Sequence, residues 1–187
     1  MNIVGITGKK FHGKDTTAGF FEEAGYASAK FAGPLKRMLF AYYESVGLDD
    51  DEQIIRRIEG DLKEVPDPYL AGRTPRYAMQ TLGTAWGREL MAEDFWLQAL
   101  GHSINGFDNV VVSDCRFPNE ADYIRGLGGR IVKVVREDMP DNESSAHASE
   151  TEIDKIVPDA IIRNDGISLQ TLRRSVQALL QSDAEGV

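Results

Sequence analysis

Apolar positions along the chain fall into short unbroken runs separated by stretches with helical spacing. Ile3-Val4-Gly5-Ile6 is the first run, and Asn2 to Thr7 is predicted as a buried strand. Asp15 to Ala24 follows as a helix, with Ala18, Phe21 and Ala24 on one stripe and Gly25 as its stop. Ala27 to Ala32 reads as a second short strand. Pro34 then opens a helix in which Leu35, Met38, Leu39, Tyr42 and Val46 keep helical spacing up to Gly47. The acidic run Asp49 to Glu52 reads as a solvated helix start before Ile54, Ile55, Ile58 and Leu62, and Val65 to Gly72 reads as a loop. Thr74-Pro75 has the form of an N-cap and first helical residue, and a mostly helical stretch is predicted from there to about Ile104, broken near Gly83 to Gly87.

The second half repeats the alternation. Asn109 to Ser113 is an apolar run of the kind found in buried parallel strands, Asn119 to Leu127 a helix ending at Gly128-Gly129, and Arg130 to Val135 another strand. Glu137 to Ser149 is polar and reads as a loop. Ala160 to Arg163 is a last strand and Ser168 to Gln181 a last amphipathic helix. Five strands separated by helices predict one α/β domain, residues 1–187: a parallel sheet between helical layers, with a helical insertion at about 34–106 and a lid at about 136–150.

Between the first strand and the first helix lies Gly8-Lys9-Lys10-Phe11-His12-Gly13-Lys14-Asp15-Thr16. It follows the phosphate-loop pattern G-x-x-x-x-G-K-[ST], with Asp15 in place of the hydroxyl residue. In such a loop glycines let backbone N–H groups turn inward around a polyphosphate. The lysine reaches the β- and γ-phosphates, and the helix that follows directs its positive end at the same charge. Gly8, Gly13, Lys14, Thr16 and Thr17 are therefore expected to bind phosphate. Asp15 is either a magnesium ligand, direct or through water, or an acidic residue complementing the helix dipole.

Composition narrows the picture. The chain has 187 residues, 42% of them hydrophobic, and a net charge of −9. That charge disfavours a nucleic-acid polymer as partner. No apolar run approaches the ~20 residues that span a bilayer, and the N-terminus lacks a basic signal-peptide segment. The single cysteine, Cys115, suits a reducing cytoplasm. Asp114 follows a strand at the edge where α/β ligands bind, which makes it a metal-orienting candidate with Arg116 beside it. Arg76, Gln80 and Arg88 would lie near one face of an unbroken helix. Arginine suits bidentate phosphate recognition, Gln80 could read a base edge and Trp86 could stack on a base; on spacing alone an ordinary solvated helix face is the better account of the pattern.

Taken together, several motifs resemble the deoxynucleoside monophosphate kinases of the bacteriophage type, within the phosphate-loop nucleoside monophosphate kinases. They are Gly13-Lys14-Asp15-Thr16, Phe31 to Lys36, Gln80 to Arg88, Ser113 to Ala121, His147 to Glu150 and Asn164-Asp165-Gly166. The chain departs at Ala85, where that family often carries Glu. The resemblance implies transfer of the γ-phosphoryl group of ATP, with Mg²⁺, to a deoxynucleoside 5′-monophosphate, and a parallel sheet of strand order 2-3-1-4-5. It further implies ATP at Gly8 to Thr17 with Asn164 and Asp165 bordering the adenine. Mg²⁺ would be held with Asp15 and Asp114, and the acceptor by Lys36, Arg76, Gln80, Trp86 and Arg88. Lys14, Arg116 and Arg136 would carry charge during transfer. Small-molecule nucleotides are the implied partners, a homodimer is compatible, and a phage-encoded enzyme would work in the host cytoplasm. A kinase of another small acceptor, such as dephospho-coenzyme A, and a nucleotide-dependent switch or assembly ATPase stay open as alternatives.

Overall fold

In the computed structural model, described for residues 1–137 and 152–185, the chain divides into two compact units. One comprises residues 1–30 and 104–187, the other Phe31–Ser103. The insertion expected within a single domain is thus a unit with a core of its own.

The first unit is a five-stranded sheet: β1 (Asn2–Thr7), β2 (Ala27–Ala29), β3 (Asn109–Val112), β4 (Arg130–Val135) and β5 (Ala160–Arg163). The order is β2-β3-β1-β4-β5, all pairs parallel, as the resemblance implies. Val4 lies beside Val111, and Ile6 beside Val132. These residues form a buried layer with Ala18 and Phe21 of α1 (Lys14–Glu23) and Leu172 and Val176 of a C-terminal helix, Leu169–Glu185. The opposite face packs on the helix Pro118–Gly126. Gly5 permits that contact, since a Cβ there would lie 2.6 Å from Ile124 Cδ1. Helices on both faces follow from strands apolar on both sides. β2 is shorter than Ala27 to Ala32 because Phe31 and Ala32 already lead into the next helix.

The second unit holds α2 (Gly33–Ser45), α3 (Asp51–Ile58), α4 (Pro75–Thr81) and α5 (Phe95–Ile104), the last ending one residue inside the first unit. Counting on, the helices of the sheet unit become α6 (Pro118–Gly126) and α7 (Leu169–Glu185). Asp50 and Thr74 cap α3 and α4, accepting from Gln53 N and Tyr77 N, both at 3.1 Å. The expected loop between them contains two short 3₁₀ turns, Asp61–Glu64 and Pro68–Leu70. Leu35, Leu39, Tyr43, Ile54, Ile58, Met79 and Trp96 form the core.

The break expected near Gly83 to Gly87 is absent. The helix continues from α4 as a π-helical segment, Leu82–Met91, and stops at Ala92, whose backbone is extended. Trp96 accounts for the widening. Its indole N–H donates to the Gly83 carbonyl at 2.8 Å, and its ring lies where a Cβ on Gly87 would stand, 2.3 Å from Nε1. In π winding the bonds run i→i+5, so the four-residue spacing expected to carry Arg88 onto the face of Arg76 and Gln80 no longer applies.

Candidate functional site

The loop joining β1 to α1 is fastened at several points to the carboxyl ends of neighbouring strands. Gly8 has φ +142° and passes so close to β4 that a Cβ would sit 2.4 Å from the Val134 carbonyl oxygen. Gly13 has φ +95°, and a Cβ there would meet Asn164 Nδ2 at 2.6 Å. Both positions accept only glycine, for conformation and for space. Phe11 also lies at positive φ, a strained backbone of the kind found where a loop is held for a ligand. The Asn164 amide donates to the His12 carbonyl at 2.9 Å, and His12 Nδ1 lies 3.3 Å from both the Val134 carbonyl oxygen and the Arg136 N–H.

Within the loop, Lys14 Nζ donates to the Lys9 carbonyl at 2.7 Å. Asp15 projects from the first turn of α1, its side chain 84% exposed, with Lys30 Nζ 3.4 Å away. Thr16 is exposed. The Thr17 hydroxyl, expected to face phosphate, instead donates to the Gly13 carbonyl at 2.9 Å from a fully buried position.

Asp114 stands just past β3, half-buried, in a turn whose Cys115 N–H donates to the Ile6 carbonyl. The buried Glu120 carboxylate accepts from the N–H groups of Arg116 (2.8 Å) and Phe117 (3.1 Å), fixing the backbone that carries Arg116. Burial, reinforced by the charges of Glu120 and Asp114, pushes the Cys115 thiol well above its ordinary range. Asp165 Oδ1 accepts from the N–H of Glu137, which lies inside the predicted lid and is the last described residue before 152. Most of that lid, with the His147 to Glu150 motif, lies outside the described residues.

In the second unit Lys36 and Arg76 are each ion-paired. Lys36 Nζ is 2.6 Å from Glu59 Oε1, and Arg76 Nε donates to Glu64. Beside α4 is a cleft of about 360 Å³ lined by Leu70, Arg73, Tyr77, Ala78, Thr81, Leu82 and Trp86. Trp86 meets Phe95 edge-on at 5.2 Å between ring centres, and Arg73 lies over the Tyr77 ring at 5.0 Å. Of the residues expected to meet the acceptor, Trp86 lines this cleft and Arg76 and Gln80 do not; Gln80, Trp86 and Arg88 are half-buried.

His12, Lys30, Glu59, Glu64 and Glu120 escape the sequence reading as site residues. Only Glu120 carries a local signal, as the third helical residue after Phe117 in a capping position. The others depend on partners distant in sequence.

A family model described as deoxynucleotide monophosphate kinase matches residues 73–176. The chain is 33% identical over 172 residues to a "Putative deoxynucleotide monophosphate kinase" of Acanthamoeba polyphaga mimivirus, covering 83% of this chain and 84% of that protein. It is 34% identical over 104 residues to the "Deoxynucleoside-5'-monophosphate kinase" of Escherichia phage T5, covering 51% of this chain and 42% of that one. Among solved structures, a dephospho-CoA kinase from Campylobacter jejuni superposes with a TM-score of 0.52 at 14% identity, covering 100% of this chain and 99% of that chain, a likeness of fold.

Proposed function

Because the chain belongs to the deoxynucleotide monophosphate kinase family, we propose that it transfers the γ-phosphoryl group of ATP to a deoxynucleoside 5′-monophosphate. The products are ADP and the deoxynucleoside diphosphate. The observation that carries this reading is the phosphate loop, whose glycines Gly8 and Gly13 lie close against Val134 and Asn164.

In this reading Gly8 to Thr16 cradle the donor's phosphates with backbone N–H groups, and Lys14 leaves the Lys9 carbonyl to reach the transferred group. Thr17 contributes rigidity, its N–H and its hydroxyl both donating to the Gly13 carbonyl, and neither is offered to phosphate. Asn164 and Asp165 border the adenine. Lys36 and Arg76 hold the acceptor's phosphate, while Gln80, Trp86 and Arg88 contact the rest of the acceptor. Arg116 and Arg136 stabilise charge as the β–γ bridging bond breaks. An oxygen of the acceptor phosphate attacks the γ-phosphorus, and ADP leaves with the bridging oxygen and its electron pair. The attacking atom is already an oxyanion, so no general base is needed.

Asp15 and Asp114 fit Mg²⁺ as hard oxygen donors, and the described residues hold no cluster of three or more His, Cys, Asp or Glu that would cage a metal alone. Such a donor set suits an ion that takes part of its shell from phosphate oxygens and water. When bound, Mg²⁺ supplies neutralisation of charge on the β- and γ-phosphates. In this reading the enzyme works in the cytoplasm, where its nucleotide substrates are. Among the described residues no helix is long and apolar enough to cross a membrane.

The test is a panel of deoxynucleoside monophosphates with ATP and Mg²⁺, read as ADP formed above the no-acceptor rate. Lys14→Ala should lower turnover by orders of magnitude with an unchanged circular dichroism spectrum. Turnover only with dephospho-coenzyme A, or unaltered turnover in Lys14→Ala, overturns the proposal.

A further inference from the structure

The two cations assigned to the acceptor's phosphate are both held by carboxylates from one short stretch of chain. Glu59, the residue after α3, pairs with Lys36 of α2, and Glu64, the last residue of the 3₁₀ turn, pairs with Arg76 of α4. The stretch between them is firmly placed. Arg56 grips Asp61 through two bonds of 2.9 and 2.7 Å, and Gly60 lies so close to α3 that a Cβ would be 2.9 Å from Arg56 Cα. Just beyond, the buried Asp67 accepts from Tyr43 OH at 2.8 Å and Arg57 Nε at 2.9 Å. The segment therefore presents two glutamates from a backbone anchored on both sides.

The pairs are unequal in exposure. The side chains of Glu59 and Glu64 are 46% and 61% exposed, those of Lys36 and Arg76 only 18% and 33%. The carboxylates can swing into water while the cations stay where they are. Pairs this exposed are individually weak. A phosphate monoester near −2 charge, with three acceptor oxygens, is a stronger partner for a lysine and an arginine than two separate carboxylates.

We propose that Glu59 and Glu64 are built-in competitors for the acceptor's phosphate, occupying Lys36 and Arg76 until a nucleotide's phosphate displaces them. The inference rests on the assignment of Lys36 and Arg76 to that phosphate. Displacement sets a threshold. A neutral nucleoside cannot cross it, and free inorganic phosphate crosses it poorly because it brings no base or sugar contacts to offset the exchange. A deoxynucleoside monophosphate brings both.

The experiment compares the full-length enzyme with Glu59→Gln, Glu64→Gln and the double variant. It reads KM for the deoxynucleoside monophosphate, Ki for inorganic phosphate as its competitor, and KM for ATP as an internal reference. Each single variant should lower acceptor KM and phosphate Ki by up to about fivefold, and the double by more, relative to the KM for ATP. A purely structural role would not tighten binding of either ligand. Unchanged or raised values in all three variants, with melting temperatures kept, overturn the inference. If the Gln variants melt early, Glu59→Asp and Glu64→Asp, which shorten the reach but keep the charge, should still lower both constants, and failure to do so overturns it equally. Lys36→Ala and Arg76→Ala separate this from the underlying reading. If they leave acceptor KM unmoved, the assignment of those cations fails; if they raise it while the glutamate variants change nothing, the displacement threshold alone fails.

Discussion

Asn164 and His12 are 152 positions apart in sequence, yet the amide of one donates to the backbone carbonyl of the other at 2.9 Å. The bond fastens the middle of the phosphate loop to the residue just past β5, so the loop's shape depends on the last strand of the sheet. Asn164→Ala should raise the KM for ATP by roughly two- to tenfold, the range of one lost hydrogen bond. Gly13→Ala should be more severe, because it adds strain at positive φ as well as a clash with the same amide. Titration with a fluorescent ATP analogue measures both.

Both tryptophans, Trp86 and Trp96, lie in the second unit, so tryptophan fluorescence, excited apart from tyrosine, reports on that unit. Gly87→Ala forces a methyl group into the Trp96 indole and should destabilise this unit by about 1–3 kcal/mol. Trp96→Phe removes the bond to the Gly83 carbonyl and costs about 1 kcal/mol for that bond, in addition to any repacking. Urea unfolding followed by fluorescence gives the first value; far-ultraviolet circular dichroism gives the second.

Asp67 is buried and accepts from both Tyr43 and Arg57. Removing one partner of a buried pair leaves the other charge uncompensated, so Asp67→Ala should cost about 3–5 kcal/mol. Burial first, and then the hydrogen bond to Asp67, raise the Tyr43 hydroxyl well above its ordinary range. A raised folded-state pKa stabilises the protein fully below the unfolded value, about 10, and that contribution is lost as pH climbs above it. Stability should thus fall above about pH 10, and Tyr43→Phe should lessen the fall. Denaturant midpoints measured between pH 8 and 11 test the difference.

Cys115 is fully buried, and its thiol is held protonated far above the usual range. The thiolate is the reactive form, so a thiol reagent at pH 8 should leave the native protein unlabelled and label one site per chain in denaturant. Rapid native labelling, read by mass spectrometry, would contradict the burial of the turn that carries Asp114 and Arg116.

The elements legible in the sequence are those whose causes are local. The limits of β1 follow from Ile3-Val4-Gly5-Ile6 running into Gly8, and the start of α4 from Thr74-Pro75. The strand order is not carried by periodicity and comes only with the family resemblance. What stays hidden depends on distant partners. The π-helical winding is set by Trp96 bonding 13 residues back to Gly83. The Lys36–Glu59 pair spans 23 residues, and the spacing of Arg76, Gln80 and Arg88 assumes an α-helical turn that the chain does not keep. Glycine pattern shows that Gly13 matters, but not that Asn164 leans on it.

The order β2-β3-β1-β4-β5 has a consequence for synthesis on the ribosome. The neighbours of β1 are β3 and β4, and the neighbour of β2 is β3, all made after residue 108. At ~5–20 residues per second β2 waits roughly 4–16 s and β1 roughly 5–20 s for any partner in the sheet. During that interval Phe31–Ser103 emerges whole, with its own core, and can condense. The nucleotide loop, though near the first residue made, is thus among the last parts of the chain to acquire its shape, which only the arrival of Val134 and Asn164 completes.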